Sequence, residues 1–506
     1  AAMSDRSMAM ARLLPLLLLL QLACPCLAFL LSSPTRLPHL SPAASSSRLV
    51  RYGRKERGLA LRPALTVCAS SDGLLSWASE NGAKLTCAVG PGGMTLTQDV
   101  KSNSVVCSIP SKLFLSRSTT RAAFGSMADK LDVRTAMALQ ILYEKSKKEE
   151  SFWCEWLKVL PDRENLGTPC LWPEDDQNLL KGTSVFEEVE ASKSLYSKAF
   201  ESLSSSGWDS KIPTEFFNLE SFEWAMEVVR SRSVAFPKFD DGLVLAPVAD
   251  FSLAGKLGRD TISCGYEGLF REPRVTVQSV AGGKSGSPIA VNFMGKSPSS
   301  MLLDHGVANP NKEEGEFKVS FAVSSLDRFF DDKADILEQE GLTTEMTFTL
   351  KADGTLDEYL LPFMRLVCIQ SFDAFLLESV FRQEVWGFVN LPVSKDNEKL
   401  MLETLIATFE GALDDIGSSE SEDMSIVRDA SSTYRQVQAA YVRIGERSAL
   451  KKTIYLLEQE MEEMDSKEYY QERRLKSLNL DRPVDESEIV DPNVEFGRER
   501  DAPWMR

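Results

Sequence analysis

Apolar positions recur along this chain with two periods, and the switches between them divide it. Residues 74–81, with Trp77 among them, have the spacing of a short amphipathic helix. K-L-T-C-A-V at 84–89, M-T-L-T at 94–97 and S-V-V-C-S-I-P at 104–110 follow period two and predict a small β unit, with Gly90-Pro91-Gly92-Gly93 as a turn. From about 119 to 229 the pattern is helical, carried by Ala136, Leu139, Ile141 and Leu142, then Phe152, Trp153 and Trp156, then Leu195, Ala199 and Phe200. Residues 244–251 and 275–280 return to strand patterning, and 317–323 is a last alternating strand. Beyond Leu326 the chain reads as largely helical to about Leu478. Ile454, Leu457, Met461 and Met464 form a narrow apolar seam there, either packed on its own domain or offered to a partner. Residues 481–506 are acidic and proline-punctuated and read as extended. The order is β-rich, helical, β-rich, helical, without an internal repeat.

The start of the chain follows a different logic. Residues 13–31 are a leucine-rich run broken by Pro15 and Pro25, with small residues at Ala23 and Ala28, more like a signal-peptide core than a spanning helix. The stretch after it is rich in Ser, Pro and Arg, with no acid until Glu56, which is transit-peptide composition. The pair reads as a cleaved, bipartite plastid presequence over residues 1–70, with a first cut near Ala28-Phe29. A single plastid transit peptide and plain secretion are the alternatives. No later segment is apolar enough to span a bilayer, so no membrane partner is expected.

Charge and rare residue types narrow the chemistry. The 506 residues carry a net charge of −17; the first 70 hold nine Lys/Arg against two Asp/Glu, which leaves −24 for the rest. So acidic a body repels phosphate backbones, and no direct nucleic-acid contact is expected. The two histidines are His39 and His305, so a multi-histidine metal site is excluded from the body and no metal is expected. The nine cysteines include no C-x-x-C pair, which fits neither a zinc site nor a disulfide framework.

Five stretches, taken together, resemble SET-domain lysine methyltransferases of the Rubisco large-subunit methyltransferase type. S-W-A-S-E-N-G-A-K-L at 76–85 precedes Gly92-Gly93-Met94-Thr95-Leu96 and Asp99-Val100, where the family has a glycine-rich turn and then A-T-E-D-I. W-A-M-E-V-V-R-S-R-S-V-A-F at 224–236 is similar to W-A-x-x-x-x-x-S-R-x-F and places Ser231 and Arg232 in the pattern. L-A-P-V-A-D-F-S-L-A-G at 245–255 is similar to V-P-x-A-D-x-x-N-H-S; Asp250 is kept, and the Asn-His pair falls on Leu253 and Ala254. I-A-V-N-F-M-G-K-S-P-S-S-M-L-L-D-H-G at 289–306 keeps the lysine-serine and leucine-rich portions, with Phe293 and His305 at the two tyrosine positions. Residues 325–366 are close to the opening of the family's substrate-binding domain.

The resemblance implies an α+β protein. Its SET-type β-rich fold spans 72–310, is split by a helical insertion at about 119–229, and is followed by an all-helical substrate-binding-type domain at 315–478 and the tail at 479–506. It also implies S-adenosylmethionine as cofactor, held near Gly92, Gly93, Met94, Ser231, Arg232 and Asp250, with Arg232 forked onto the cofactor's carboxylate. Leu253 and Ala254 lose the polar contacts to the adenine end, and Phe293 and His305 replace the phenols around the reacting amine, so no catalytic residue is assigned and the enzyme is expected to be inactive or weak. The family's plastid-transcription branch is the nearest match, on the presequence, the altered positions and M-D-S-K-E-Y-Y-Q-E-R-R-L at 464–475. Two functions follow as expectations. The first is an accessory structural or regulatory subunit of the plastid-encoded RNA polymerase complex, docked on the polymerase core and its associated proteins, with Phe496 and Trp504 of the tail as anchors. The alternative is a protein-lysine N-methyltransferase acting on a stromal protein.

Overall fold

The computed structural model describes residues 71–90, 93–208, 211–253, 258–269, 271–293 and 295–478. The presequence, the tail with Phe496 and Trp504, and the site positions Gly92 and Ala254 lie outside these.

After helix α1 (Asp72–Glu80) come β1 (Lys84–Leu85), β2 (Cys87–Gly90), β3 (Gly93–Leu96) and β4 (Ser104–Pro110). The helical insertion holds α2 (Arg117–Phe124), α3 (Val133–Ser146), α4 (Cys154–Val159), α5 (Glu174–Gln177), α6 (Ser184–Ser205) and α7 (Leu219–Arg232). Strands β5 (Ser233–Ala235), β6 (Leu243–Leu245), β7 (Thr261–Glu267), β8 (Glu272–Ser279) and β9 (Pro288–Ile289) follow, then α8 (Pro298–His305). The C-terminal half comprises β10 (Glu316–Ala322), α9 (Phe330–Gln339), β11 (Glu345–Lys351), α10 (Leu360–Val367), α11 (Val385–Val389), α12 (Lys395–Asp415), α13 (Glu420–Arg428), α14 (Tyr434–Glu462) and α15 (Tyr470–Ser477).

The β-rich half is an antiparallel sheet in the order β1-β4-β8-β7 beside a smaller sheet β2-β3-β9 and the hairpin β5-β6. The glycine turn belongs to the β2–β3 hairpin, with Cys87 opposite Leu96 and Gly90 opposite Gly93. Helix α3 starts where the Asp132 side chain accepts from the Arg134 and Thr135 amides at 3.0 Å. It buries Ala136, places Leu139, Ile141 and Leu142 in the larger core, and packs along α7. The C-terminal half has its own core, from Phe317 through Phe363 and Leu402 to Leu457.

The expected mixed fold with a helical C-terminal region is present, with differences in detail. That region is not all-helical: β11 pairs along its whole length with β10 in an antiparallel ribbon. E-M-T-F-T-L-K alternates with period two, and a helix would have put Phe348 and Leu350 on different faces instead of into one core. The strand expected over 244–251 stops at Leu245, because Pro247 cannot donate to a ladder. Strand β7 was not anticipated. Ile454, Leu457 and Met464 are buried in the C-terminal core, so the apolar seam packs within its own domain.

The two halves meet along α14. Leu180, Val185 and Val189 of the insertion, Leu302 and Leu303 of α8, and Ala439 and Val442 of α14 form one apolar cluster. Gly445 allows a close approach to the first turn of α8: a Cβ on it would lie 2.8 Å from Cγ of Pro298. Beside them the fully buried Glu446 carboxylate accepts from the Ser184 amide at 2.9 Å and from the Ser184 and Ser299 hydroxyls at 2.7 Å. It therefore caps the N-terminus of α6 and reaches the first turn of α8. Burial, only partly offset by these bonds, pushes its carboxyl up to about 7. On the same helix Arg443 and Arg447 converge on the buried Asp423 at 2.6 and 3.0 Å.

Candidate functional site

The site is assembled from three segments: the end of α7, the 3-10 segment Ala249–Leu253 and the run from β9 into α8. Helix α7 begins at the Asn218 cap, buries Trp224, Ala225, Val228 and Val229, and delivers Arg232 into the interior. The Arg232 guanidinium donates to Asp250 Oδ2 at 3.2 Å and lies 4.8 Å from the centre of the Phe251 ring. Trp156 Nε1 donates to the same oxygen at 3.2 Å. Burial raises the Asp250 carboxyl; Arg232 and the indole work against that rise. The pair is thus an internal one, and Arg232 is not presented to a ligand alone as the sequence suggested. Ser231 turns its hydroxyl back to the Glu227 carbonyl at 2.7 Å and is part of the helix rather than of a pocket wall.

Just before Asp250, Val248 has φ of +74°, a left-handed conformation that a β-branched residue adopts only under constraint. It is fully buried, so packing holds the strain. The bend turns the chain from β6 into the 3-10 segment and aims Leu253 at the β9–α8 run. That run is fixed by Asp260, which accepts from the Ala290 amide at 3.0 Å and the Val280 amide at 3.1 Å. Leu253 closes with Val291, Phe293 and Met301 into a small apolar cluster, backed by Val234 and Ile262. Gly93 has φ of +98°, and buried Met94 pairs with Ile289, so the β3 edge lies along the same run.

Helix α8 is capped by the Ser297 hydroxyl, opened by Pro298 and closed by left-handed Gly306. This places His305 with its ring 4.3 Å from that of Phe293. The Lys296 ammonium reaches Asp304 at 3.2 Å and His305 Nε2 at 3.4 Å; since an ammonium only donates, Nε2 is the acceptor. Arg230 joins Asp304 from α7 at 3.4 Å. Burial would raise the Asp304 carboxyl, but Arg230 and Lys296 overcome it and hold it below its ordinary range.

The structure therefore brings Leu253, Phe293 and His305 into one place, pairs Arg232 with Asp250, and sets Gly93 and Met94 beside them. Sequence reasoning set Lys296 and Asp304 in the family's register without giving them a role, and missed Glu446. It also missed Tyr434, whose hydroxyl donates to the Gly306 carbonyl at 2.8 Å from the C-terminal domain. The K-S and D-H-G portions of the run marked Lys296 and Asp304; nothing local marked Glu446 or Tyr434.

For S-adenosylmethionine the fit is partial. The Phe293 ring face attracts a sulfonium, and a guanidinium has five N–H donors, more than Asp250 occupies. The Asn-His contacts and the phenol oxygen are absent from these positions. When bound, the cofactor would supply an electrophilic methyl group.

A family model described as Rubisco LSMT substrate-binding matches residues 324–450. The chloroplastic [fructose-bisphosphate aldolase]-lysine N-methyltransferase of Arabidopsis thaliana is 30% identical over 398 residues, 77% of this chain and 81% of the relative. The chloroplastic Rubisco large-subunit N-methyltransferase of Pisum sativum is 29% identical over 399 residues, 77% of this chain and 80% of the relative. The solved structure of Rubisco LSMT bound to AdoMet superposes with a TM-score of 0.70 at 28% identity, covering 81% of this chain and 96% of that one. With a SET-like core, a matching substrate-binding domain and this degree of identity over most of its length, the chain belongs to the Rubisco large-subunit methyltransferase-like family of SET-domain proteins.

Proposed function

We propose that this chain is an S-adenosylmethionine-dependent protein-lysine N-methyltransferase acting on a plastid protein. The observation that carries it is the joint around Glu446. The substrate-binding-type domain is bonded, through buried polar groups, to the very helix that ends at His305. A chain that only needed to fold could have closed this joint with apolar contacts. The chloroplastic relatives and the presequence composition support the compartment. In this reading Arg232 meets the cofactor's carboxylate and Phe293 faces the sulfonium. The acceptor amine gains rate from alignment and exclusion of water rather than from a phenol.

One observation favours a second reading. Leu253, Val291, Phe293 and Met301 close on one another where the family places polar contacts. Under that reading the chain is a non-catalytic subunit of the plastid RNA polymerase assembly, docked on the polymerase core and its associated proteins, with Phe496 and Trp504 as anchors.

One experiment separates them: calorimetric titration of S-adenosylmethionine into the full chain, followed by transfer of labelled methyl to plastid stromal proteins. Saturable binding with labelling of a discrete protein on lysine is expected. Absence of both binding and labelling overturns the methyltransferase and leaves the subunit reading, which is then checked by co-purification with polymerase subunits.

A further inference from the structure

The described surface carries a concentration of large apolar side chains around α15. Phe372 is 95% exposed, Val380 81% and Leu391 51%, and α15 and the residue after it show Leu475 and Leu478. All three loop residues sit within three positions of a group that touches this helix. Phe375 packs its ring against Tyr470 with centroids 6.2 Å apart. Phe381 lies under the Arg474 guanidinium at 5.8 Å. The Pro392 carbonyl accepts from Arg473 at 2.9 Å. An open cavity of about 620 Å3 adjoins Leu391 and Arg473; its lining mixes Leu356, Leu361 and Pro362 with the acids Asp357, Glu358, Glu460 and Glu468 and the bases Arg365 and Lys467. Single exposed apolar residues are ordinary; five around one short helix mark a surface that something covers.

Two features identify what covers it. The first is sequence: α15 ends at Ser477, and residues 479–506 follow it in the chain. They carry Ile489, Val490, Val494, Phe496 and Trp504, and their length, up to about 95 Å extended, spans the surface many times over. The second is charge. Arg473 donates to two backbone carbonyls and Arg474 to the Tyr470 hydroxyl, and neither has a carboxylate within salt-bridge distance among the described residues. Residues 481–495 hold six Asp/Glu against one arginine.

We propose that the tail docks back in cis. Phe496 and Trp504 cover Phe372, Val380 and Leu391, and the acidic stretch between faces Arg473 and Arg474. A tether of this length holds the segment at a local concentration near about 1 mM, so even weak contacts are mostly made. The inference does not depend on whether the chain transfers methyl groups.

The test is amide hydrogen exchange on the full chain, comparing wild type with the double variant Phe496→Ala/Trp504→Ala. Exchange over 371–391 and 470–478 is expected to be at least fivefold slower in the wild type. A second double variant on the other side, Phe372→Ser/Val380→Ser, should lose the same protection. A synthetic peptide of residues 479–506 should bind the tail variant and not the wild type, whose surface is already occupied. Equal exchange in wild type and tail variant overturns the proposal. So does protection that disappears on dilution, which would assign the surface to a second copy of the chain, or peptide binding to wild type and variant alike.

Discussion

Helix α8 is eight residues long and touches two environments of different character. At its first turn Ser299 donates to Glu446, a carboxylate whose oxygens are held by three hydrogen bonds from two helices. At its last turn His305 stacks on Phe293, a member of an apolar cluster, while Asp304 beside it is held by Arg230 and Lys296. A buried polar junction is costly unless every group is satisfied, and when satisfied it admits one arrangement. The domain joint has been kept at that standard. The other end sets apolar packing, from Leu253, Val291, Phe293 and Met301, beside its polar groups.

The comparison is broken most severely at the joint. Asp423→Ala leaves the Arg443 and Arg447 guanidinium groups buried without a counter-charge and should cost about 4 kcal/mol, read by chemical denaturation; a loss under about 1 kcal/mol would show that α14 is held by apolar contacts alone. Glu446 supplies a pH signature. Its folded value is raised to about 7 from an ordinary 4.5, so its contribution to stability is fully present below pH 4.5 and is lost as pH rises through 7. Glu446→Gln should remove a fall of up to about 3 kcal/mol across that window, and parallel pH profiles for the two proteins would contradict it.

At the other end the effects are smaller. Arg232→Ala strands the Asp250 carboxyl, which can take up a proton in response, and should cost about 2 kcal/mol at neutral pH. An unchanged denaturation midpoint would return Arg232 to a purely ligand-facing role. Phe293→Tyr should change stability by less than about 1 kcal/mol, because the ring sits at the edge of its cluster. If the methyltransferase reading holds, it should raise turnover by about tenfold or more, by restoring an acceptor oxygen. No gain in an otherwise active protein would mean that His305 already fills that place.

Much of this was legible in the chain. S-V-V-C-S-I-P announced β4 through its alternation, and the W-A-M-E-V-V-R-S-R run announced a buried helix delivering an arginine. Leu253, Phe293 and His305 were recognisable as altered positions because their neighbours, Asp250, Lys296 and Leu302, stayed in register. What could not be read was decided elsewhere in space. T-I-S-C-G-Y-E does alternate, with Ile262, Cys264 and Tyr266 on one face, but β7 is an edge strand whose apolar face is at most half-buried, and so short a run was passed over. E-M-T-F-T-L-K was absorbed into a helical region because its partner strand lies some 30 residues earlier. Glu446 looks like any acid in G-E-R-S-A until Ser184 and Ser299 arrive. Arg232 looked available because its closest partner, Asp250, belongs to a segment bent by a strained valine.

The Ser184–Glu446 bond joins residues 262 positions apart, and Ser299–Glu446 spans 147. During synthesis the insertion and the reacting helix are complete long before α14 exists to cap them. Until then the N-termini of α6 and α8 hold unanswered donors, and the apolar cluster between them lacks one wall. The boundary that sequence comparison draws near residue 324 is thus not a boundary in folding. A chain interrupted anywhere before α14 should leave the SET-like half unfinished, as a client for chaperones rather than a smaller enzyme.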